Sequence, residues 1–354
     1  MGKIKIFLLI ILIFFIILLP IVLLVYYNLP TPLQKENQKK EVLATILVGY
    51  EEKSLLLLPL YVALNKGFFE KEHLTVKLQE TTMYPASIKG LIEEKYDILV
   101  SDPEVGMYYY QQNSKFDLAY IGQLTTKNGF FLLGRKDEEK FLWSDTRNKI
   151  IIGVKGGKHQ EIILEHLLRK NNLYPMMNVH IINNLPLALR AGVFESGTGD
   201  FILVNEPTAT LLEKNSSGQV VTPLGETTDK EISLVLIATK KQVEKNKELY
   251  QAFLNALTKG LLWINQSSPE QLTTIAKHYF PNQDDKILLR GICRYKNLGC
   301  WPHTSVLKKS HFIKLQNIML ELGELNSFLH MQRFLDNSFA QQAVKSLKFQ
   351  QTNS

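Results

Sequence analysis

From Thr45 onward the chain switches hydrophobic period in a regular way. Thr45–Gly49 is a short, β-branched apolar run. The apolar run Leu58–Asn65 has the length of a short helix and stops at Lys66-Gly67, where glycine takes the left-handed conformation that ends helices. Leu74–Gln79 alternates Leu74, Val76 and Leu78 with polar residues, which is strand period. A helix around Ala86–Glu93 and a strand Tyr96–Val100 complete a βαβαβ unit, the seed of an open α/β sheet. The pattern then predicts a helix Glu104–Gln112 and strands Phe116–Gln123 and Phe130–Gly134. A second unit of the same kind begins at Lys149: strand, the turn Lys155-Gly156-Gly157-Lys158, helix His159–Asn171, strand Val179–Ile182, helix Pro186–Glu195 and strand Phe201–Val204. After the apolar run from Ile232, the remainder is helical, with expected helices Glu248–Ile264, Pro269–Tyr279, Gln283–Arg290, Ser310–Leu322 and Asp336–Ser346. These helices are assigned to wrapping a sheet.

Before this α/β region lies a different pattern. Residues 6–27, IFLLIILIFFIILLPIVLLVYY, hold no charge and span ~30 Å as a helix, enough for a bilayer core. No short apolar region with a small-residue cleavage site follows, and no cysteine stands there to accept a lipid. The segment reads as an uncleaved single-span anchor (1–27) with a polar, proline-bearing tether over 28–42. A short basic start, Lys3 and Lys5, followed at once by the apolar run, favours the N-terminus inside and the bulk outside the cytoplasm.

A length of 354 residues calls for two lobes. The net charge of +7 is spread over interleaved basic and acidic residues, without a basic, aromatic-studded run, so nucleic acid is not an expected partner. His159, Glu165 and His166 share a helix at offsets unsuited to a metal pair, no nucleophile motif is present, and neither a metal, a cofactor nor catalysis is expected. Cys293 and Cys300, in GICRYKNLGCW, would close a small loop worth roughly 2–3 kcal/mol outside the cytoplasm. Two idle thiols are the alternative.

Ligands of open α/β sheets sit beyond the carboxyl ends of strands. By that position Gly49, Tyr50, Thr81, Thr82, Ser101, Asp102 and Gln123 are candidate contacts. Asp102 has a second reading, as the cap of the helix that follows Pro103. The turn Lys155-Gly156-Gly157-Lys158 between strand and helix lets backbone approach a ligand and offers free N–H groups and a helix dipole to an anion. It lacks the ending of a nucleotide P-loop.

The phrases LPLYVALNKGFFEKEHLTVKL, YDILVSDP, GQLTTKNGFFLLGR, GVKGGKHQEIILEHLLRKNNL and GDFILVNEPTATLLE, in that order, together with the tail RYKNLGCW…LQNIMLELGEL, resemble the solute-binding proteins of ABC importers. The nearest group handles sulfonates, taurine, nitrate and thiamine-pyrimidine precursors. The resemblance implies a two-lobed type II periplasmic-binding fold, with lobe 1 at 43–125 plus 236–354, lobe 2 at 135–228, and hinge segments near 126–134 and 229–235. Asn205-Glu206-Pro207 matches the family's Glu-Pro, so Asn205 and Glu206 join the candidate contacts, Glu206 either accepting from a ligand amine or capping the next helix. The implied function is a receptor that closes on a small polar solute and delivers it to an ABC permease and its ATPase. The alternative is a sensing or interaction protein that kept the fold without transport.

Overall fold

The computed structural model describes residues 44–113, 117–135, 140–227 and 232–352. The apolar segment 6–27, the tether and residues 229–231 of the second expected hinge lie outside them. Among the described residues no helix is long and apolar enough to cross a membrane.

The first lobe opens with β1 (Ala44–Tyr50), α1 (Leu58–Asn65), β2 (Leu74–Glu80), α2 (Ala86–Ile92), β3 (Ile98–Ser101), α3 (Glu104–Gln112) and β4 (Leu118–Gln123). Gly67, at φ 65°, ends the α1 turn as its sequence predicts. Strand β1 lies between β2 and β3 and is parallel to both. Its Ile46 and Val48 point into the core while Leu47, facing the other way, is half-buried, the alternation that a strand imposes.

The second lobe contains β5 (Phe130–Gly134), β6 (Ile150–Ile152), α4 (His159–Lys170), β7 (His180–Ile182), α5 (Leu187–Glu195), β8 (Phe201–Asn205), α6 (Thr208–Lys214), β9 (Gln219–Pro223) and α7 (Leu224–Thr227). Here β6 lies between β7 and β8, parallel to both. The chain then returns as β10 (Val235–Thr239), followed by α8 (Lys240–Lys245), α9 (Lys247–Gln266), α10 (Pro269–Tyr279), α11 (Asp285–Leu298), α12 (Lys309–Leu322) and α13 (Ser338–Thr352).

The two sheets repeat one plan. Their strand orders are β2-β1-β3-β10-β4 and β7-β6-β8-β5-β9, and the strand in fourth place is antiparallel to its neighbours in each. Each of those strands, β5 and β10, comes directly after the chain has crossed from the other sheet. Phe130–Gly134, which the sequence reading left in a crossing segment, is thus an inner strand of the second sheet. Strands β1 and β6, each with neighbours on both sides, are the topological switch points at which open α/β sheets hold ligands.

Apolar packing runs between the lobes. Tyr295 of α11 stacks on Phe131 of β5, with ring centres 6.0 Å apart, and meets Trp301 edge-on. A Cβ on Gly129 would stand 2.7 Å from the Leu56 side chain, which would have to shift to admit it. Helix α11 also braces the second lobe: Arg290 and Arg294 both pair with Glu213 of α6.

That helix decides the cysteine question. Cys293 and Cys300 are thiols and form no disulfide. Cys293 lies within α11 and Cys300 just beyond its end at Gly299. Five residues of helix rise about 7.5 Å before the chain turns, beyond the usual span of a disulfide.

Candidate functional site

Where the carboxyl ends of β1 and β6 face each other, the lobes enclose a cavity of about 570 Å³, within the range of small-molecule sites. Tyr50 at the end of β1, Glu51 and Glu52 after it, and Ser101 and Asp102 at the end of β3 line it from the first lobe. From the second lobe come Lys155, Gly156 and Lys158 of the turn after β6, Gln160 of α4, Arg190 of α5 and Asn205 at the end of β8. Leu56, Leu57, Phe130, Leu185 and Leu234 supply apolar wall.

Acidic groups of the first lobe reach donors of the second. The Lys158 ammonium lies 2.5 Å from Glu51 Oε2, with both side chains largely buried, and Ser87 donates to the other Glu51 oxygen at 2.6 Å. Gln160 donates to Asp102 Oδ2 at 3.1 Å, and Asn205 donates to Glu52 Oε1 at 2.8 Å. Behind the wall, the His159 backbone N–H donates to Glu104 Oε1 at 3.0 Å. That N–H belongs to the first turn of α4, where a helix favours negative charge.

The electrostatics follow from burial. Desolvation raises the Glu52 carboxyl, against the Asn205 hydrogen bond and the Arg190 charge. It also raises Asp102, against the pull of His159 and Lys158, and raises Glu104, to which the Asp102 charge adds. Burial alone would depress Lys158, but Glu51 and Asp102 outweigh it and its ammonium is held above the ordinary range. Arg190 is lowered by burial and donates to the carbonyls of Gly153 at 3.1 Å and Leu203 at 3.4 Å.

The family model described as NMT1/THI5 like matches residues 56–271 of this chain. The chain belongs to the NMT1/THI5-like family. This NMT1/THI5-like chain is 28% identical over 307 residues to the "Putative binding protein YtlA" of Bacillus subtilis (strain 168), covering 87% of this chain and 92% of that protein. Its fold resembles the ligand binding component of an ABC-type import system from Staphylococcus aureus, solved with zinc bound, at a TM-score of 0.70 and 16% identity over 85% of this chain and 99% of that one. It also resembles the alkanesulfonate-binding protein SsuA from Xanthomonas axonopodis pv. citri bound to MOPS, at 0.67 and 14% over 83% and 99%. The fold is therefore the two-lobed, periplasmic-binding-like α/β fold.

In this family member the cavity gathers seven of the residues expected from the sequence: Tyr50, Ser101, Asp102, Lys155, Gly156, Lys158 and Asn205. The others lie elsewhere. Gly49 is buried beneath Tyr96, whose ring a Cβ would meet at 2.9 Å. The Thr81 N–H donates to the Tyr50 carbonyl, and neither Thr81 nor Thr82 reaches the cavity; Met83 takes that place. Gln123 is buried in the sheet, its N–H donating to the Ser305 carbonyl. Gly157, at φ 76°, shapes the turn without lining the cavity.

Of its two readings, ligand contact and helix cap, Glu206 takes the second. It is fully buried and turned away, accepting from Thr210 N at 3.1 Å, from Thr210 Oγ1 at 3.0 Å and from Arg294 at 2.8 Å. Its carboxylate serves the first turn of α6 and α11, not the cavity. Asp102 departs from its cap reading in the opposite direction: α3 has no side-chain cap bond, and Asp102 meets Gln160 and the cavity. The sequence reading missed Glu51 and Glu52 as contacts, although both follow β1 directly. It missed Gln160 and Arg190 because nothing in a helical pattern says which polar residue turns inward.

Proposed function

We propose that the protein is the membrane-tethered, extracytoplasmic substrate-binding component of an ABC importer, closing two lobes on a small polar solute. The observation that carries this reading is the cleft between two facing strand switch points, lined from both lobes. In this reading residues 1–27 anchor the chain and 28–42 tether it. Lobe 1 comprises β1–β4 with β10 and the helices after it, lobe 2 comprises β5–β9, and the described hinge residues are 124–129 and 232–234. The solute's preference for the closed state drives hinge closure, and an ABC permease with its ATPase takes up the loaded form. Fold neighbours, an alkanesulfonate-binding protein among them, suggest the first solutes to try.

The test is a thermal-shift titration of the full chain in detergent against sulfonates, taurine, nitrate, thiamine-pyrimidine precursors and amines. A solute present at about 100 times its dissociation constant stabilises the fold by roughly 2.7 kcal/mol. A selective rise that Asn205→Ala weakens supports the receptor. A folded chain that no solute stabilises would overturn it and favour the sensing or interaction reading.

A further inference from the structure

We propose that the inner wall of the cleft is a subsite for the protonated amine of a solute with an apolar body, built by Glu51, Ser101 and Asp102. This rests on the receptor reading and names the class of solute. Two of the groups that the sequence offers to an anion, Lys158 and the first N–H of α4, are already engaged by the protein's own carboxylates. Lys158 lies 2.5 Å from Glu51, with Asp102 and Glu104 also adding negative charge around it. The first N–H of α4 is held by Glu104, which is itself fully buried. Arg190 is directed at two backbone carbonyls. Lys155 stands exposed at the rim, where solvent and salt screen it. The two buried cations of the cavity, Lys158 and Arg190, are thus both turned to acceptors of the protein itself, and the carboxyls of Glu51 and Asp102 stand at the inner wall.

Two buried atoms at this wall make no hydrogen bond with the protein among the described residues: Ser101 Oγ and Asp102 Oδ1. Their residues are 1% and 6% exposed, and both line the cavity. A buried carboxylate oxygen without a donor is costly, and a solute N–H, above all a charged one, satisfies it with a strong bond. An oxyanion placed there would meet Asp102 and Glu51 as like charges. Leu56, Leu57, Phe130 and Leu185 form the apolar surroundings that an uncharged hydrocarbon body fills.

A matched pair of probes tests this: benzylamine and phenylmethanesulfonate share a body and differ in the sign of the headgroup. Calorimetric titration of the full chain in detergent should show benzylamine binding at neutral pH, weakened at least tenfold by Asp102→Asn and by Glu51→Gln, with no binding of the sulfonate. Ser101→Ala is the milder companion, expected to weaken benzylamine a few-fold; it keeps the test decisive if an acid variant does not fold. Binding of phenylmethanesulfonate in place of benzylamine overturns the subsite while leaving the receptor reading intact. Benzylamine binding unchanged in folded Asp102→Asn also overturns it. Neither probe binding to folded wild-type protein overturns the subsite as well, and the receptor reading is then judged on the wider solute series.

Discussion

Glu51 and Glu206 each follow the carboxyl end of an inner strand, β1 and β8, and they end in opposite surroundings. Glu51 turns into the cleft, where it meets Lys158 across the lobe boundary and lines the cavity. Glu206 turns away, where Arg294 from α11 and the first turn of α6 enclose it completely. The first pair touches the space a solute would occupy. The second fastens α11, from the C-terminal tail, to the lobe it would otherwise pass by. Position after a strand brings a side chain near a switch point. The direction of the following turn decides whether it serves ligand or scaffold.

The largest expected effect breaks the scaffold side of this contrast. Arg294→Ala leaves Glu206 buried without its cation and should destabilise the fold by about 3 kcal/mol, the cost of orphaning a buried charge. Thermal melting of the full chain should show a drop of several degrees. Below the new midpoint, solute affinity should stay within a factor of two, since Arg294 is not at the cavity.

Next in size comes Glu161, which lies under the turn after β6 and accepts from the Val154 N–H at 3.3 Å. Burial pushes its carboxyl from 4.5 up to about 7, against the Val154 bond. The folded protein therefore holds this proton more tightly than the unfolded chain. The stability it contributes is fully present below pH 4.5 and is lost as pH rises through about 7. A shift of this size corresponds to at most roughly 3 kcal/mol. Glu161→Gln should flatten the fall in melting temperature between pH 5 and 8, and an unchanged slope would refute the assignment.

The cleft side should respond more weakly in stability and more strongly in binding. Lys158→Ala removes the partner of Glu51 but leaves the Ser87 hydrogen bond in place, so about 1–2 kcal/mol is expected for this largely buried pair. If the inner wall takes an amine, this variant should bind benzylamine at least as well as wild type, because a competing cation is gone. The exposed pair Lys149–Asp200 serves as the control; Lys149→Ala should change stability by less than about 0.5 kcal/mol.

Much of the fold is legible in the hydrophobic period. The run Pro269–Tyr279 is α10 with the same bounds, and the alternation in Leu74–Gln79 is β2 short by one residue. The period does not say which sheet a strand joins. Nothing local in Phe130–Gly134 or Val235–Thr239 reveals that each inserts antiparallel into a sheet after a crossing. Site residues divide in the same way. Lys155, Gly156 and Lys158 were legible because a glycine turn between strand and helix has local chemistry. Arg190 was not, because its burial beneath the cleft depends on how α5 packs on β8. Of the two readings of Cys293 and Cys300, idle thiols is the one that holds, because most of the segment between them is the end of α11.

The central claim is that the lobes close on a solute held between β1 and β6. Spin labels at Thr82→Cys, beyond β2 in the first lobe, and Leu189→Cys, on α5 in the second, both at exposed positions, would report the mouth of the cleft. The background would carry Cys293→Ser and Cys300→Ser. A solute found by titration should shorten and narrow the interlobe distance distribution, and Asp102→Asn should shift that response to higher solute concentration. A bound solute that leaves the distribution unchanged, or a response indifferent to Asp102, would contradict the account.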